Sequence, residues 1–403
     1  MKRADLRISV SFIKTFKACA MRCYYKYIHN ISPEGDTDSQ RIGTHWHKCL
    51  EIVSMKTGSV CPDCADQGKK DPDCVLCQGT DLLPDNMMDA VIRYLNKSYE
   101  KMPAGKTADE WETERTIILY SLCGYVWYYQ DKEKYTTVAR EIPFSLPIRN
   151  PGSGRRLIGV QLDGKIDKLA AAPDCAVVIY EHKSTGSSID EDSDFWKHLT
   201  LDTQGRVYPY SARELQLMGA LEIYDIKPGD PLISSVVYDV WHKPGIRPAK
   251  LTQGETKEFV ATGEYKGQKF EVSVSNDGVF VNGVRAEVTP GAKEGTFAIR
   301  ETASMFGARL LADIVERPTF YFARRTVGRT DEDIRNIQTE IVNIYHTVRF
   351  LEKNNCWWCD ETQCEATFKC PYISICYNNV KLKSDEVPPG FRRTYVLETE
   401  RGE

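Results

Sequence analysis

Two neighbouring stretches constrain this chain most: Ile158-Gly159-Val160-Gln161-Leu162-Asp163-Gly164-Lys165-Ile166-Asp167-Lys168-Leu169, and Ala176-Val177-Val178-Ile179-Tyr180-Glu181-His182-Lys183. Both read as β-strands, the second a short apolar run rich in β-branched residues, and the Ala171-Ala172-Pro173-Asp174 break between them suits a tight reversal. Side chains alternate across a strand, so Glu181 and Lys183 leave one face and His182 the other. Pairing of the two strands brings Asp167 near Glu181. Adjacent carboxylates repel unless a cation lies between them, and hard oxygen ligands favour Mg²⁺ or Mn²⁺.

The rest of the chain narrows the function classes. Its 403 residues, 41% hydrophobic, are enough for a substantial core in one elaborated domain or two. A net charge of -4 excludes a generally basic coat, so any contact with nucleic acid must come from a local groove. No apolar run approaches the ~20 residues that span a bilayer, and Met1-Lys2-Arg3-Ala4-Asp5 does not lead into a signal-peptide core. A cytoplasmic protein with no membrane partner is expected. The 14 cysteines are mostly clustered, which argues for metal rather than disulfides. Cys61-Pro62-Asp63-Cys64 and Cys74-Val75-Leu76-Cys77 present four thiolates suited to tetrahedral Zn²⁺, and a closed shell of this kind is structural. By spacing alone, Cys356, Cys359, Cys364, Cys370 and Cys376 suit zinc as well as iron. Cys123 and Cys175 read as small buried hydrophobes.

Asp167 followed by Glu181-x-Lys183 resembles the core of the PD-(D/E)xK nuclease superfamily, and further motifs resemble its RecB-like members. The stretch from Ile8 to Ile28 carries Ser, an aromatic, Cys19 and then Tyr24-Tyr25-x-Tyr27, like the opening helix of that group, where the Cys begins an iron–sulfur site. Gly43-x-x-x-His47-x-x-Leu50-Glu51 resembles the motif whose His binds the catalytic metal; this implies His47 rather than His45, with Glu51 one helical turn on to orient the imidazole. Gly164-x-x-Asp167 matches the family's order and favours Asp167 over a hairpin turn at Asp163-Gly164. Gln204-x-x-x-Tyr208 resembles the motif after the catalytic Lys, implying that Gln204 orients the Lys183 region and Tyr208 faces DNA. Cys370-Pro371-Tyr372-x-x-x-Cys376 resembles the tail of the split [4Fe–4S] site of AddB-type and CRISPR-associated nucleases. The implied ligands are Cys19, Cys364, Cys370 and Cys376, with Cys356 and Cys359 competing with Cys364 for one slot. Ala20 stands where the family commonly has Pro, and the tail lacks the family's usual CxxC before the final Cys.

The expected fold is therefore α/β, a restriction-endonuclease-like mixed sheet flanked by helices. Residues 1–60 supply N-terminal helices, 61–80 a zinc-binding insertion, 81–250 a helical segment and the catalytic core, 251–300 a small β insertion, and 301–403 a helical, Fe–S-binding part. Within it, Pro209 predicts an interrupted helix or a partly extended segment, Asn276-Asp277-Gly278 and Asn282-Gly283 predict turns, and Asp331 to Leu351 an amphipathic helix. Gly105-Lys106-Thr107 is not a P-loop, because Glu100 replaces the first glycine. The resemblance implies a metal-dependent DNA nuclease, an exonuclease of phage or bacterial recombination, replication or repair. Such an enzyme acts on DNA with a free end, beside a helicase or recombinase. The alternative is a nuclease-derived DNA-binding or scaffold subunit without catalysis. A zinc deaminase is excluded, since no His-x-Glu accompanies a Pro-Cys-x-x-Cys.

Overall fold

The computed structural model describes residues 5–35, 37–67, 70–366, 369–383 and 386–394. Met1 to Ala4, Gly68 and Lys69 of the zinc loop, and Thr367 and Phe368 of the last cysteine stretch lie outside them. The elements that build the site are, in chain order, β1 (Leu6–Ile8), α1 (Val10–Ala18), α2 (Asp38–Val53), α3 (Met87–Ser98), α4 (Ala108–Tyr129), β2 (Thr136–Arg149), β3 (Arg156–Ala171) and β4 (Val177–Thr185). There follow α5 (Gln204–Leu217), β5 (Ser235–His242), α6 (Ala303–Glu316), β6 (Phe322–Gly328) and α7 (Asp331–Asn354). Side-chain oxygens of Ser9, Thr37, Thr107, Thr302 and Thr330 cap α1, α2, α4, α6 and α7, each accepting an otherwise unpaired amide of the first turn.

The six strands form one mixed sheet in the order β1-β3-β4-β5-β6, with β2 antiparallel along β3. Because β2 occupies one edge of β3, β1 and β4 share the other: β1 runs parallel to 160–162, and β4 antiparallel to 168–171. Among the described residues no strand pairs with the backbone between these two stretches on that side, and Asp167 stands at the end of this gap, next to the start of the β4 pairing. β4 and β5 run parallel, and β6 returns antiparallel to β5.

Helices cover both faces. Phe12 of α1, Val207 of α5, and Ile341 and Val348 of α7 pack with Leu162, Ile179 and Val236 on one. Trp46 of α2, Leu95 of α3, Ile118 of α4 and Leu310 of α6 pack with Trp241 and Phe322 on the other. Each such buried side chain contributes about 1.5–3 kcal/mol of transfer free energy, which makes this sheet a rigid platform. The expected α/β sheet flanked by helices is the observed one.

Four expectations change. The opening helix breaks at Cys19, whose backbone is extended; the Met21 amide then donates to Trp358 O at 2.8 Å, so helical continuity is exchanged for a tie to the distant tail. The helix containing Pro209 is not interrupted. Proline removes the donor for Gly205 O, and Arg329 Nε supplies one at 2.9 Å instead. Cys175 is exposed, at positive φ in the β3–β4 reversal, and Cys123 is only half-buried, so neither is a core residue. The segment after Lys250 opens with a helix, Gln253–Thr262, before its short strands; there Asn282 and Gly283 have φ of 51° and 75°, as a two-residue hairpin turn requires. No helix among the described residues is long and apolar enough to cross a membrane.

Candidate active site

The β3–β4 register pairs Lys168 with Tyr180, so the next step along both strands holds Asp167 and Glu181. Glu181 is 1% exposed. Its Oε1 accepts from Lys183 Nζ at 2.9 Å and from Gln204 Nε2 at 2.5 Å, while Lys183 Nζ also donates to Gln204 Oε1. From α2, His47 Nδ1 approaches Asp167 Oδ2 to 3.4 Å. Asp167, Glu181, Lys183, Gln204 and His47, brought by β3, β4, α5 and α2, thus meet at the gap between β1 and β4.

Two oxygens in this cluster are incompletely satisfied. Glu181 Oε2 is buried with no hydrogen bond among the described residues, and Asp167 Oδ2, also buried, accepts none of ordinary geometry and meets only the His47 ring at 3.4 Å. An unsatisfied buried acceptor costs about 1–3 kcal/mol, more when charged, so such a pair calls for an explanation. Burial pushes the Glu181 carboxyl up to about 7 against the pull of Lys183, and the Asp167 charge adds to the rise. Asp167 is instead held below the usual range: burial opposes ionisation, but His47 and nearby cations prevail. Burial would lower the His47 imidazole, yet Asp167 and Glu181 outweigh it and raise it. Two buried carboxylates with incompletely satisfied oxygens beside an imidazole are donors of the kind a divalent cation of the Mg²⁺ or Mn²⁺ class takes, so the residue types present fit that group, although among the described residues their ligand atoms do not converge within 4.8 Å as those of Cys61, Cys64, Cys74 and Cys77 do.

α5 is pressed against the sheet to deliver Gln204. A Cβ on Gly205 would lie 1.8 Å from Tyr238 Oη, so only glycine allows the first turn to sit there. Asp202, which the sequence did not single out, accepts from the Gly205 amide at 3.1 Å and from Lys14 Nζ at 2.7 Å, and its charge acts on Lys183. Tyr208 is 8% exposed and edge-on to Phe144 with ring centroids 6.2 Å apart, so most of its ring packs against the core beside the cluster. One expectation needs correction. Glu51 accepts from Lys48 Nζ at 2.9 Å, and it is Asp167 that meets the His47 ring.

The opposite face of β4 holds a second polar cluster that no motif signalled. Asp239 Oδ2 accepts from His182 Nδ1 at 2.8 Å and from Tyr125 Oη at 2.7 Å, while Oδ1 accepts from Arg324 Nε at 2.6 Å. Arg324 also meets Glu133 at 3.0 Å and lies 3.4 Å from the Tyr129 ring centroid. The only sequence signal available was the even spacing of His182 against Glu181 and Lys183.

The two cysteine groups differ in geometry. Cys61, Cys64, Cys74 and Cys77 are buried with their sulfurs all within 4.8 Å of one another. Cys61–Cys74 and Cys64–Cys77 are 3.8 and 3.4 Å apart, close to the ~3.8 Å edge of a tetrahedron with Zn–S of about 2.3 Å. This set fits zinc. At the other end, Cys359 Sγ lies 3.8 Å from Cys376 Sγ, and Cys19 Sγ accepts from the Asp360 amide at 3.4 Å. Burial first, then the Cys370, Cys19 and Cys359 thiols, raise Cys364. Cys19 from the first helix thus lies in the same neighbourhood as the tail thiols, although among the described residues no three of these sulfurs lie within 4.8 Å of one another as the zinc-type set does. Cys23 is buried in the main core.

Compared with known families, residues 7–377 match a model described as the PD-(D/E)XK nuclease superfamily. No curated protein matches the chain.

Proposed function

The chain belongs to the PD-(D/E)XK nuclease superfamily, and from that premise we propose that it is a DNA phosphodiesterase whose catalytic group is Asp167, Glu181, Lys183, Gln204 and His47. The observation that carries the reading is the pair of buried, incompletely satisfied carboxylates Asp167 and Glu181, one step beyond the β3–β4 pairing, with the His47 ring beside the first. Asp167, Glu181 and His47 are the residues that would hold Mg²⁺ or Mn²⁺. Such an ion, when bound, polarises a phosphate oxygen and lowers the pKa of a coordinated water. Lys183, fixed between Glu181 and Gln204, has one remaining proton to direct at the reacting phosphate, where it orients a water or offsets developing negative charge. Gln204 bridges Glu181 and Lys183 and so sets the angle of both.

Within the superfamily we place the chain with the RecB-like and AddB-type exonucleases, acting at free DNA ends in phage or bacterial recombination, replication or repair, beside a helicase or recombinase. The shared neighbourhood of Cys19 and the tail thiols Cys359, Cys364, Cys370 and Cys376 supports a [4Fe–4S] cluster that staples the two ends of the nuclease domain, its binding energy adding to folding. The division into residues 1–60, a zinc module at 61–80, a core at 81–250, a β insertion at 251–300 and a C-terminal part at 301–403 belongs to the same proposal.

The test is cleavage of end-labelled single- and double-stranded DNA by anaerobically purified protein with Mn²⁺ or Mg²⁺. Metal-dependent cleavage that falls about a hundred- to thousand-fold in Lys183→Ala is the expected result. Equal cleavage by the variant would overturn the assignment, and a folded protein that binds DNA without cutting it would favour the scaffold alternative. Brown protein containing iron as well as zinc supports the cluster; colourless protein containing zinc alone refutes it.

A further inference from the structure

A groove of about 790 Å³ opens where β4 and β5 end. It is bounded by Gly186, three residues past Lys183, and by the His242 to Pro248 segment after β5; α2, which carries His47 deeper in the fold, supplies the facing wall with the start of α4. At a strand rise of about 3.3 Å per residue, the groove begins roughly 10 Å along the chain from Lys183.

Its two walls differ in charge. Each carboxylate on the α2 and α4 side already has a partner: Asp38 meets Lys106, Glu114 meets Arg41, Asp109 meets Arg300, and Glu110 caps α4 at the Thr107 amide. On the β5 side, Lys243 and Arg247 have no carboxylate partner among the described residues. Arg247 Nη1 donates only to the Pro244 and Ile246 carbonyls. Lys243 is half-buried with no counter-ion, and burial alone lowers its ammonium. Between them, the His242 and Phe320 rings meet edge-on with centroids 4.6 Å apart. A cation kept half-buried without a partner is costly unless an anion arrives.

We propose that this groove binds a single strand of DNA leading into the active site, with Lys243 and Arg247 on its phosphates and His242 and Phe320 against a base. A duplex is disfavoured because a cleft of about 790 Å³ has no room for a second phosphate chain, and the carboxylates of the opposite wall are already neutralised by Lys106, Arg41 and Arg300. A single strand places all its phosphates on one wall and turns its bases to the other. The volume is that of a small-ligand cleft, which suits a nucleotide or two. The inference rests on the nuclease reading above and deepens it to a substrate class.

The test is fluorescence anisotropy of a short labelled single-stranded oligonucleotide and of the blunt duplex of the same sequence, using the full chain with Lys183→Ala to prevent cleavage and no added divalent metal. Single strand bound more tightly than duplex is expected. Lys243→Gln with Arg247→Gln should weaken single-strand binding about tenfold or more. The double variant should also lower the salt-dependence slope by about 1.4, the share of two phosphate contacts at roughly 0.7 each. Phe320→Ala should weaken binding several-fold without changing that slope. Unchanged affinity and slope in the double variant, tighter duplex binding, or no binding to either probe overturns the proposal. The two readings fail separately. Cleavage by wild-type protein with normal binding by the groove variants removes the groove alone. Absence of cleavage with groove-dependent binding removes the nuclease alone.

Discussion

The two faces of β4 each bury a carboxylate, and they treat it in opposite ways. On the His182 face, Asp239 has both oxygens occupied, by Arg324, His182 and Tyr125, and its carboxyl is held far below the usual range: burial opposes ionisation, but Arg324 and His182 more than offset it. On the Glu181 face, one oxygen takes both available donors and the other takes none, and the carboxyl rises to about 7. The satisfied carboxylate is part of the scaffold that aligns β4, β5, β6 and α4. The half-satisfied one is kept for a ligand. Degree of satisfaction, more than burial, separates structure from function across these few ångströms of strand.

Breaking the satisfied side should cost most in stability. Asp239→Asn leaves the buried Arg324 guanidinium with the more exposed Glu133 as its one carboxylate partner among the described residues, and denaturant unfolding should show a loss of about 3–5 kcal/mol. The same group predicts an acid limb. Its folded pKa lies below the unfolded value, so its contribution is present above about pH 4 and is lost as pH falls below that. Stability measured from pH 5 to pH 3 should therefore fall less steeply in Asp239→Asn than in wild type. On the Glu181 side, Gly205→Ala forces the new methyl into Tyr238 Oη and should cost about 1–3 kcal/mol while shifting Gln204. Glu181→Gln should change stability of the metal-free protein at pH 7 by less than about 1 kcal/mol. A carboxyl that titrates near 7 is already half neutral there, so an amide resembles much of the population. A large loss in Glu181→Gln, or none in Asp239→Asn, would erase the contrast.

Sequence periodicity located the elements that matter, because strand alternation and a Pro-Asp break are local signals: β3, β4, their reversal and α7 all lie where the pattern put them. Asp167, Glu181, Lys183, Gln204 and His47 were legible as a group through an ordered set of motifs, and the fold brings all five together. What escaped depended on contacts distant in sequence. Asp239 and Arg324 are 85 residues apart, and nothing local marks either. Pro209 could be read as a helix breaker only while the replacement donor, Arg329, 124 residues away from Gly205, was unknown. Tyr208 has the spacing of a helical face, but spacing does not tell whether that face meets solvent or core. The CxxC pairs were readable because their geometry is set within a few residues, whereas the partner of Cys376 among the tail thiols depends on how the last loop folds back.

The central claim is that the incompletely satisfied buried carboxylates of Asp167 and Glu181 hold a divalent cation. Calorimetric titration of zinc-loaded, folded protein with Mn²⁺ tests it most directly, with Asp167→Asn and Glu181→Gln as comparisons. One Mn²⁺ bound by wild type, and at least about tenfold weaker binding by each variant, is the predicted result. Equal Mn²⁺ binding by wild type and both variants would contradict it.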